Sequence, residues 1–300
     1  MVADNTTLNF GFWNCAISPP GQSAAVDEEM ISAAFFLIEK MFFDHNLAFV
    51  VICEINEESF ALLSILLKEN GFESILANDK SPTGSRMDLA CIYIKERVLV
   101  SKGETHFGSV GTSSIKISQE FFVLTPLSDS PLSIFASHWP SRLQHVADDF
   151  RNQCSIGLKF RLVNLQNEKK QFVLMGDYND DPYSHTLFKN LMATNDRALV
   201  ISNSSSWLYN PFWRTLFARS YFNRDSDTHD FGTCYNQSNN RNQWSTFDQI
   251  IFSGDFLKEG DWFINEEKCF VISDESFVRL IMDKENKFDH LPVIGSISYC

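Results

Sequence analysis

At 300 residues the chain is long for one structural unit, yet within reach of the large two-sheet α/β folds. A composition 44% hydrophobic and 21% charged excludes a disordered or fibrous protein. A formal charge of −13, from 25 Lys and Arg against 38 Asp and Glu, excludes a protein that holds nucleic acid by broad electrostatics alone, though not an enzyme that engages a few phosphates around a metal ion.

Apolar runs bounded by turn residues alternate with helical periodicity along the chain, which predicts an α/β protein. Residues 8–15 read as a strand. Val26, Met30, Ala33, Leu37 and Met41 then share one face of a helix. Residues 47–53 form a buried strand, followed by a helix from about Ser59 to Lys68 that stops near Asn70-Gly71. From Phe72 to Ser137 the pattern changes to successive strands, among them 87–95, 115–125 and 132–137, separated by Gly and Pro clusters. Leu143, Val146, Phe150, Cys154, Leu158, Leu162 and Leu165 keep the spacing of a second long helix. A buried strand at 172–175 ends at Gly176-Asp177, and 246–252, 269–272 and 293–298 read as later strands.

Consecutive strands mixed with crossover helices predict two mixed β-sheets packed face to face with helices outside. The whole of 1–300 reads as a single domain with an irregular insertion near 203–245, a length of loop that is commonly functional. The 28 phenylalanines read as core filling. No apolar run is long enough for a membrane span, and the N-terminus has no basic segment followed by an apolar one. Seven cysteines, an odd number without C-x-x-C spacing, fit reduced thiols and a cytoplasmic location.

Polar residues of the types that bind hard metals and move protons cluster at the ends of these apolar strands. Asn14 follows NFGFW, Glu54 follows FVVIC, and His138 follows SIFAS. Asp177 and Asn179 follow FVLMG, Asp248 interrupts STFDQII, and Asp289 and His290 precede LPVIG. Any one of these can be a turn or cap residue, but strand ends are where a rigid scaffold presents side chains to a common site.

GDYNDDP at 176–182 resembles the GDFN-x-x-P signature of the endonuclease/exonuclease/phosphatase superfamily, whose fold is similar to deoxyribonuclease I. FWN, ICE, SHWPSR, WSTFDQIIFS and FDHLPV resemble the family's other blocks in order, so the resemblance covers roughly residues 8–298. It implies a four-layered α/β sandwich and a divalent-metal-dependent phosphodiesterase using Mg²⁺ or Mn²⁺. By resemblance, Glu54 is the metal-binding carboxylate and Asp289 a carboxylate near the metal or a second metal. Asn14 orients Glu54 or contacts the metal, its amide also suiting a phosphate oxygen, while Asp177 and Asn179 position the attacking water and bind phosphate. His290 is the acid/base or phosphate-contacting histidine with Asp248 as its carboxylate partner, and His138 is the second histidine. SHWPSR looks like the histidine block of bacterial members, in which Arg142 forks onto a phosphate oxygen.

Two departures stand out: Cys53 where the family has Gln, and Phe288 where it has Ser. Arg86 and Glu120 are weaker candidates, for phosphate contact and as an acidic partner of His138. His45, His106, His145, His185 and His229 lack motif context and read as structural or surface residues. The 203–245 stretch interleaves Trp207, Tyr209, Phe212, Trp213, Tyr221 and Phe222 with Arg214, Arg219, Arg224 and Arg241. Bases stacked on aromatics beside Arg would fit a nucleic-acid substrate, whereas the alternative is a surface loop packed on the sandwich. A nuclease acting on DNA or RNA is therefore the first expectation. The others are a lipid or small-molecule phosphoesterase, such as a sphingomyelinase-like or inositol-phosphate enzyme, and a binding module with a decayed site.

Overall fold

The computed structural model describes residues 6–19, 26–142, 147–216, 232–236, 243–258, 260–282 and 288–300. Strand β1 (Thr7–Asn14) and strand β2 (Leu47–Cys53) are near-continuous apolar runs because they lie side by side in parallel with both faces covered. Helix α1 (Glu28–Asp44) makes the crossover between them. It starts where the Asp27 carboxylate accepts the Met30 N–H at 3.0 Å, and it buries Met30, Ala34, Leu37, Ile38 and Met41. Helix α2 (Glu57–Glu69) begins two residues earlier than the apolar pattern predicts, because Asn56 caps it by accepting from the Ser59 N–H at 2.8 Å. It ends, as expected, at Asn70-Gly71, where Gly71 takes a positive φ of 83°.

The chain continues through β3 (Glu73–Ala77), β4 (Leu89–Tyr93), β5 (Leu99–Val110), β6 (Ser113–Leu124) and β7 (Leu132–His138). Helix α3 (Ala147–Asn167) leads to β8 (Phe172–Asp177), then a π-helical turn at His185–Asn190 and β9 (Ala193–Thr194). After α4 (Arg197–Ser202) come β10 (Leu208–Tyr209), a 3₁₀ turn at Pro211–Leu216, β11 (Cys234–Tyr235), β12 (Trp244–Ser245) and β13 (Asp248–Ser253). The last elements are β14 (Trp262–Ile264), β15 (Phe270–Val271), α5 (Glu275–Met282) and β16 (Val293–Tyr299).

One mixed sheet runs β14-β16-β1-β2-β4-β3 with β15 beside β16, the other runs β5-β6-β7-β8-β13-β10-β9, and β11 pairs with β12. Between the sheets lie Phe10, Phe12, Phe49, Val51, Phe121, Met175, Ile250 and Phe252, with Phe10 and Phe49 stacked 5.2 Å apart. Outside the first sheet, α1, α2 and α5 supply Leu37, Ile38, Leu63, Leu67, Phe277 and Ile281; outside the second, α3 supplies Cys154, Leu158 and Leu162. The order is thus helices, sheet, sheet, helices, as the sequence predicts. Fully burying one such apolar side chain stabilises the fold by about 1.5–3 kcal/mol.

Register brings the polar strand ends together. Parallel pairing of β7 with β8 sets His138 opposite Asp177, and antiparallel pairing of β8 with β13 sets Asp177 opposite Asp248. In the other sheet Asn14 pairs with Cys53 and Cys53 with Leu89, so Asn14, Glu54 and Asp88 lie at neighbouring strand ends. Gly176 is needed for the first arrangement: a Cβ there would sit 2.3 Å from the Ser137 carbonyl oxygen on the adjoining strand.

Candidate active site

Asn14 joins the two sheets. Its side-chain Nδ2 donates to Glu54 Oε1 at 3.1 Å and to Asp177 Oδ2 at 3.0 Å, while its Oδ1 accepts the Ala16 N–H at 3.1 Å. Every face of that amide is therefore used, and both carboxylates are held from one point. Glu54 takes a positive φ of 61°, unusual for a residue with a Cβ, and the turn delivers its carboxylate to the end of the sandwich. Asn179 likewise has φ 51°; its N–H caps Asp177 Oδ1 at 2.8 Å and its Nδ2 donates to the Trp139 carbonyl at 3.0 Å.

Two histidines face this centre, each backed by a buried acid. His290 Nδ1 lies 2.7 Å from Asp248 Oδ2, as expected. Thr233 Oγ1 fixes the Asp248 backbone by accepting its N–H at 2.9 Å and that of Phe247 at 3.0 Å. His138 Nδ1 lies 2.8 Å from Asp88 Oδ2, and Lys116 Nζ donates to the other Asp88 oxygen at 2.6 Å. Glu120 does not serve His138. It stands opposite Phe135 on β6, three residues back along β7, so register carries it away from the strand end. The signal for Asp88 is an acid at the head of an apolar strand in SRMDLACIY, the same pattern as Asp248 in STFDQII.

Electrostatics follow from burial and partners. Burial lifts the Glu54 carboxyl above the ordinary range, against the pull of His138 and the Asn14 amide. Burial would also lift Asp88, but Lys116 and His138 hold it well below the usual carboxylate value. At His138 burial acts downward and Asp88 outweighs it, leaving the imidazole above its usual value. The same balance between burial and Asp248 raises His290, while burial raises Asp248 itself, so this pair keeps a shared proton above the ordinary histidine range.

The donor set fits a hard divalent cation. Glu54 is a largely desolvated carboxylate, its Oε1 stands 3.4 Å from His138 Nε2, and a cation offsets the cost of burying its charge. Glu54 would hold the ion, with Asp177 joined to it through Asn14. Asp289 is 56% exposed, and its Oδ1 lies 3.8 Å from His290 Nε2, which in turn is 3.9 Å from Asp177 Oδ2. Ligand atoms of Asp177, Asp248 and His290 lie within 4.8 Å of one another, as do those of Cys234, Asp289 and His290.

Arg142 departs from expectation. Its Nε donates to the Asn179 carbonyl at 2.9 Å and its Nη2 to Asp180 at 3.0 Å and Asp181 at 3.2 Å, with Phe247 beneath it at 4.7 Å. The fork expected on a phosphate is closed instead on the acids of its own signature loop, which it steadies. Asp181 also accepts the Thr246 N–H at 2.9 Å and Asp180 the Thr186 hydroxyl at 2.7 Å, so these acids do more than turn the chain. Arg86 pairs with Glu57 at 3.3 Å on the surface.

Phe288 is buried against Trp13, with ring centroids 5.4 Å apart, and Trp13 Nε1 donates to the His290 carbonyl at 3.0 Å. The aromatic in place of a serine thus anchors the Asp289-His290 segment. Cys53 is buried in the inter-sheet core, where a thiol packs as a small apolar group. His106 is buried beside Phe135 and His45 packs against Phe270, both structural; His145 and His229 lie outside the described residues.

Of the candidate aromatics in the 203–245 stretch, two turn inward and two lie half-buried on the surface. Phe212 enters the inter-sheet core, Tyr209 is buried, and Trp207 and Trp213 pack on Phe188. Arg214 donates to the Glu266 carbonyl at 2.6 Å. Arg219, Tyr221, Phe222, Arg224 and Arg241 lie outside the described residues.

The sequence matches the Endonuclease/Exonuclease/phosphatase family over residues 28–293. The chain belongs to this family. No curated protein matches the sequence. Solved structures of similar fold include the mannosyl-6-phosphatase Bt3783 of Bacteroides thetaiotaomicron, at 13% identity over 97% of this chain and 100% of that one, with a TM-score of 0.61. The human Nocturnin catalytic domain with bound sulfate is similar at 15% identity over 98% of this chain and 95% of that one, with a TM-score of 0.59. TDP2 of D. rerio, solved with a single strand DNA product, is 11% identical over 97% of this chain and 99% of that one, with a TM-score of 0.56. Family membership makes the chain a phosphoesterase of the hydrolase class, in a family generally dependent on divalent metals.

Proposed function

We propose that the chain is a divalent-metal-dependent hydrolase of compact phosphoesters, with Glu54, Asp177, Asn179, His138, His290 and Asn14 as its reacting set. The observation that carries this reading is the pair of imidazoles, each with Nδ1 on a buried acid and Nε2 turned toward Glu54 or Asp177. Glu54 would hold a Mg²⁺ or Mn²⁺ ion, which would supply neutralisation of charge developing on the phosphoryl group. Asp177, steadied by Asn14 and the Asn179 N–H, orients the attacking water. His138 and His290, kept protonated by Asp88 and Asp248, donate from Nε2 to the phosphoryl oxygens as negative charge builds there. Arg142 maintains the Asp180-Asp181 loop beside them.

A compact substrate is favoured because the described cations and aromatics that would track a polynucleotide, Arg142, Arg214, Trp207 and Trp213, are spent on internal contacts. Nuclease action on DNA or RNA is the second reading, supported by the arginines and aromatics of 219–241 and by the fold shared with the D. rerio protein bound to a DNA product. The deciding experiment incubates the protein with a phosphomonoester panel, supercoiled plasmid, single-stranded DNA and RNA, with Mg²⁺, Mn²⁺ or chelator. Phosphate release from small esters, lost in Asp177→Ala and His290→Ala proteins, supports the first reading. Strand cleavage with the same mutant dependence transfers the assignment to the nuclease. No turnover of any ester rejects both.

A further inference from the structure

Cys234 stands directly opposite His290 on a short antiparallel bridge, flanked by hydrogen bonds from Tyr235 N–H to the Asp289 carbonyl at 2.8 Å and from Leu291 N–H to the Thr233 carbonyl at 2.6 Å. That makes Cys234 and His290 a non-hydrogen-bonded pair, the position where opposing side chains approach most closely. The proposed reaction gives the buried thiol no task. A sulfur, an imidazole nitrogen and a carboxylate oxygen of Cys234, His290 and Asp289 lie within 4.8 Å of one another.

We infer that Cys234, Asp289 and His290 form a zinc site that competes with the hard-metal reaction and shuts it off. Thiolate, imidazole and carboxylate are the donor types zinc takes, whereas Mg²⁺ has little use for sulfur. Zinc bonds of about 2.0–2.3 Å put tetrahedral ligands roughly 3.5 Å apart, so the trio closes with small side-chain movements. The second layer is already in place. Asp248 holds His290 Nδ1 at 2.7 Å, which directs Nε2 outward as a ligand in a carboxylate–histidine–zinc arrangement. Binding releases two protons to solvent, the thiol proton of Cys234 and the Nε2 proton that His290 otherwise holds, and water completes the fourth position. An occupied site takes Nε2 of His290 away from the phosphoryl group.

Only the inhibitory consequence rests on the proposed function; occupancy can be read without substrate. Adding Co²⁺ to the full chain should give a thiolate-to-cobalt charge-transfer band that saturates at one ion per chain and is displaced by Zn²⁺. Cys234→Ser should abolish the band and weaken Zn²⁺ binding by at least about tenfold, and Asp289→Asn, at an exposed position, should weaken it as well. In Mg²⁺-supported assays Zn²⁺ should inhibit the wild type at equimolar levels, while Cys234→Ser keeps its Mg²⁺ activity and resists Zn²⁺ at least about tenfold better. A missing charge-transfer band, or equal Zn²⁺ affinity in wild type and Cys234→Ser, overturns the site. Binding without inhibition overturns its competitive role and leaves the hydrolase reading untouched.

Discussion

The two histidine arms look alike in outline and differ in how their acids are balanced. On the His138 arm, Lys116 neutralises the far oxygen of Asp88 at 2.6 Å, so the acid is fully ionised and the arm is a cation–anion–imidazole chain. On the His290 arm, Asp248 is fully buried, its Oδ1 has no hydrogen-bond partner among the described residues, and Asp177 adds a second negative charge nearby. The first arm is a fixed electrostatic brace. The second is built to hold one more proton than an isolated histidine would, which suits a group that donates as phosphoryl charge develops.

The largest test of this contrast removes the proton-holding arm. His290→Ala should reduce kcat on the order of a hundredfold to a thousandfold, read from steady-state hydrolysis with Mg²⁺ present. Next comes the brace: Lys116→Met leaves Asp88 buried with His138 alone and should cost about 3 kcal/mol of stability, measured by urea unfolding.

The pH dependence of stability should separate the two acids by sign, Asp88 being held below the ordinary carboxylate value and Asp248 above it, while both imidazoles are raised. Asp88 has a folded pKa below its unfolded one, so its contribution is present above the ordinary carboxylate value and lost as pH falls through the depressed value. In Lys116→Met that loss should begin at higher pH. His290 has a folded pKa above its unfolded one, so its contribution is complete below the ordinary histidine value and lost as pH rises through the raised one. Unfolding free energies of Asp248→Asn measured across this alkaline range should show the loss flattened. A wild-type curve insensitive to pH on the alkaline side would mean that neither imidazole is raised by its acid. The smallest effect belongs to neither arm: Arg142→Ala should lower stability by about 1 kcal/mol, because its side chain is 42% exposed, and thermal unfolding would register it.

Much of this was legible in the sequence because β1, β2, β7 and β8 are apolar runs that give way abruptly to a polar residue, and β13 begins on one. Buried strands carry no alternation to confuse the reading, and their ends mark one edge of the sandwich. What stayed hidden depends on partners distant in the chain. Asp88 reads as one more residue of the 87–95 strand until the fold sets it 2.8 Å from a histidine 50 positions later. Lys116 reads as an exposed strand lysine, and Thr233 as a loop residue. Arg142 misled because an arginine after SHWPS has the right chemistry for phosphate, and only the fold shows Asp180 and Asp181 reaching it first. Two-residue strands such as β9 and β10 are too short to have periodicity, and α5 follows a turn-rich stretch that masks its start.

The Asn14 amide, strung between a carboxylate on each sheet, works as a caliper across the sandwich. Its two donated bonds, 3.1 Å and 3.0 Å long, can both form only at one separation of the strand ends. Packing of Phe10, Phe49 and Phe252, well away from the reacting groups, therefore sets the gap that those groups must span. A cavity-forming change such as Phe252→Ala would be felt at the far rim as a loosened gauge, and catalytic competence becomes a reporter of how tightly the two halves are closed.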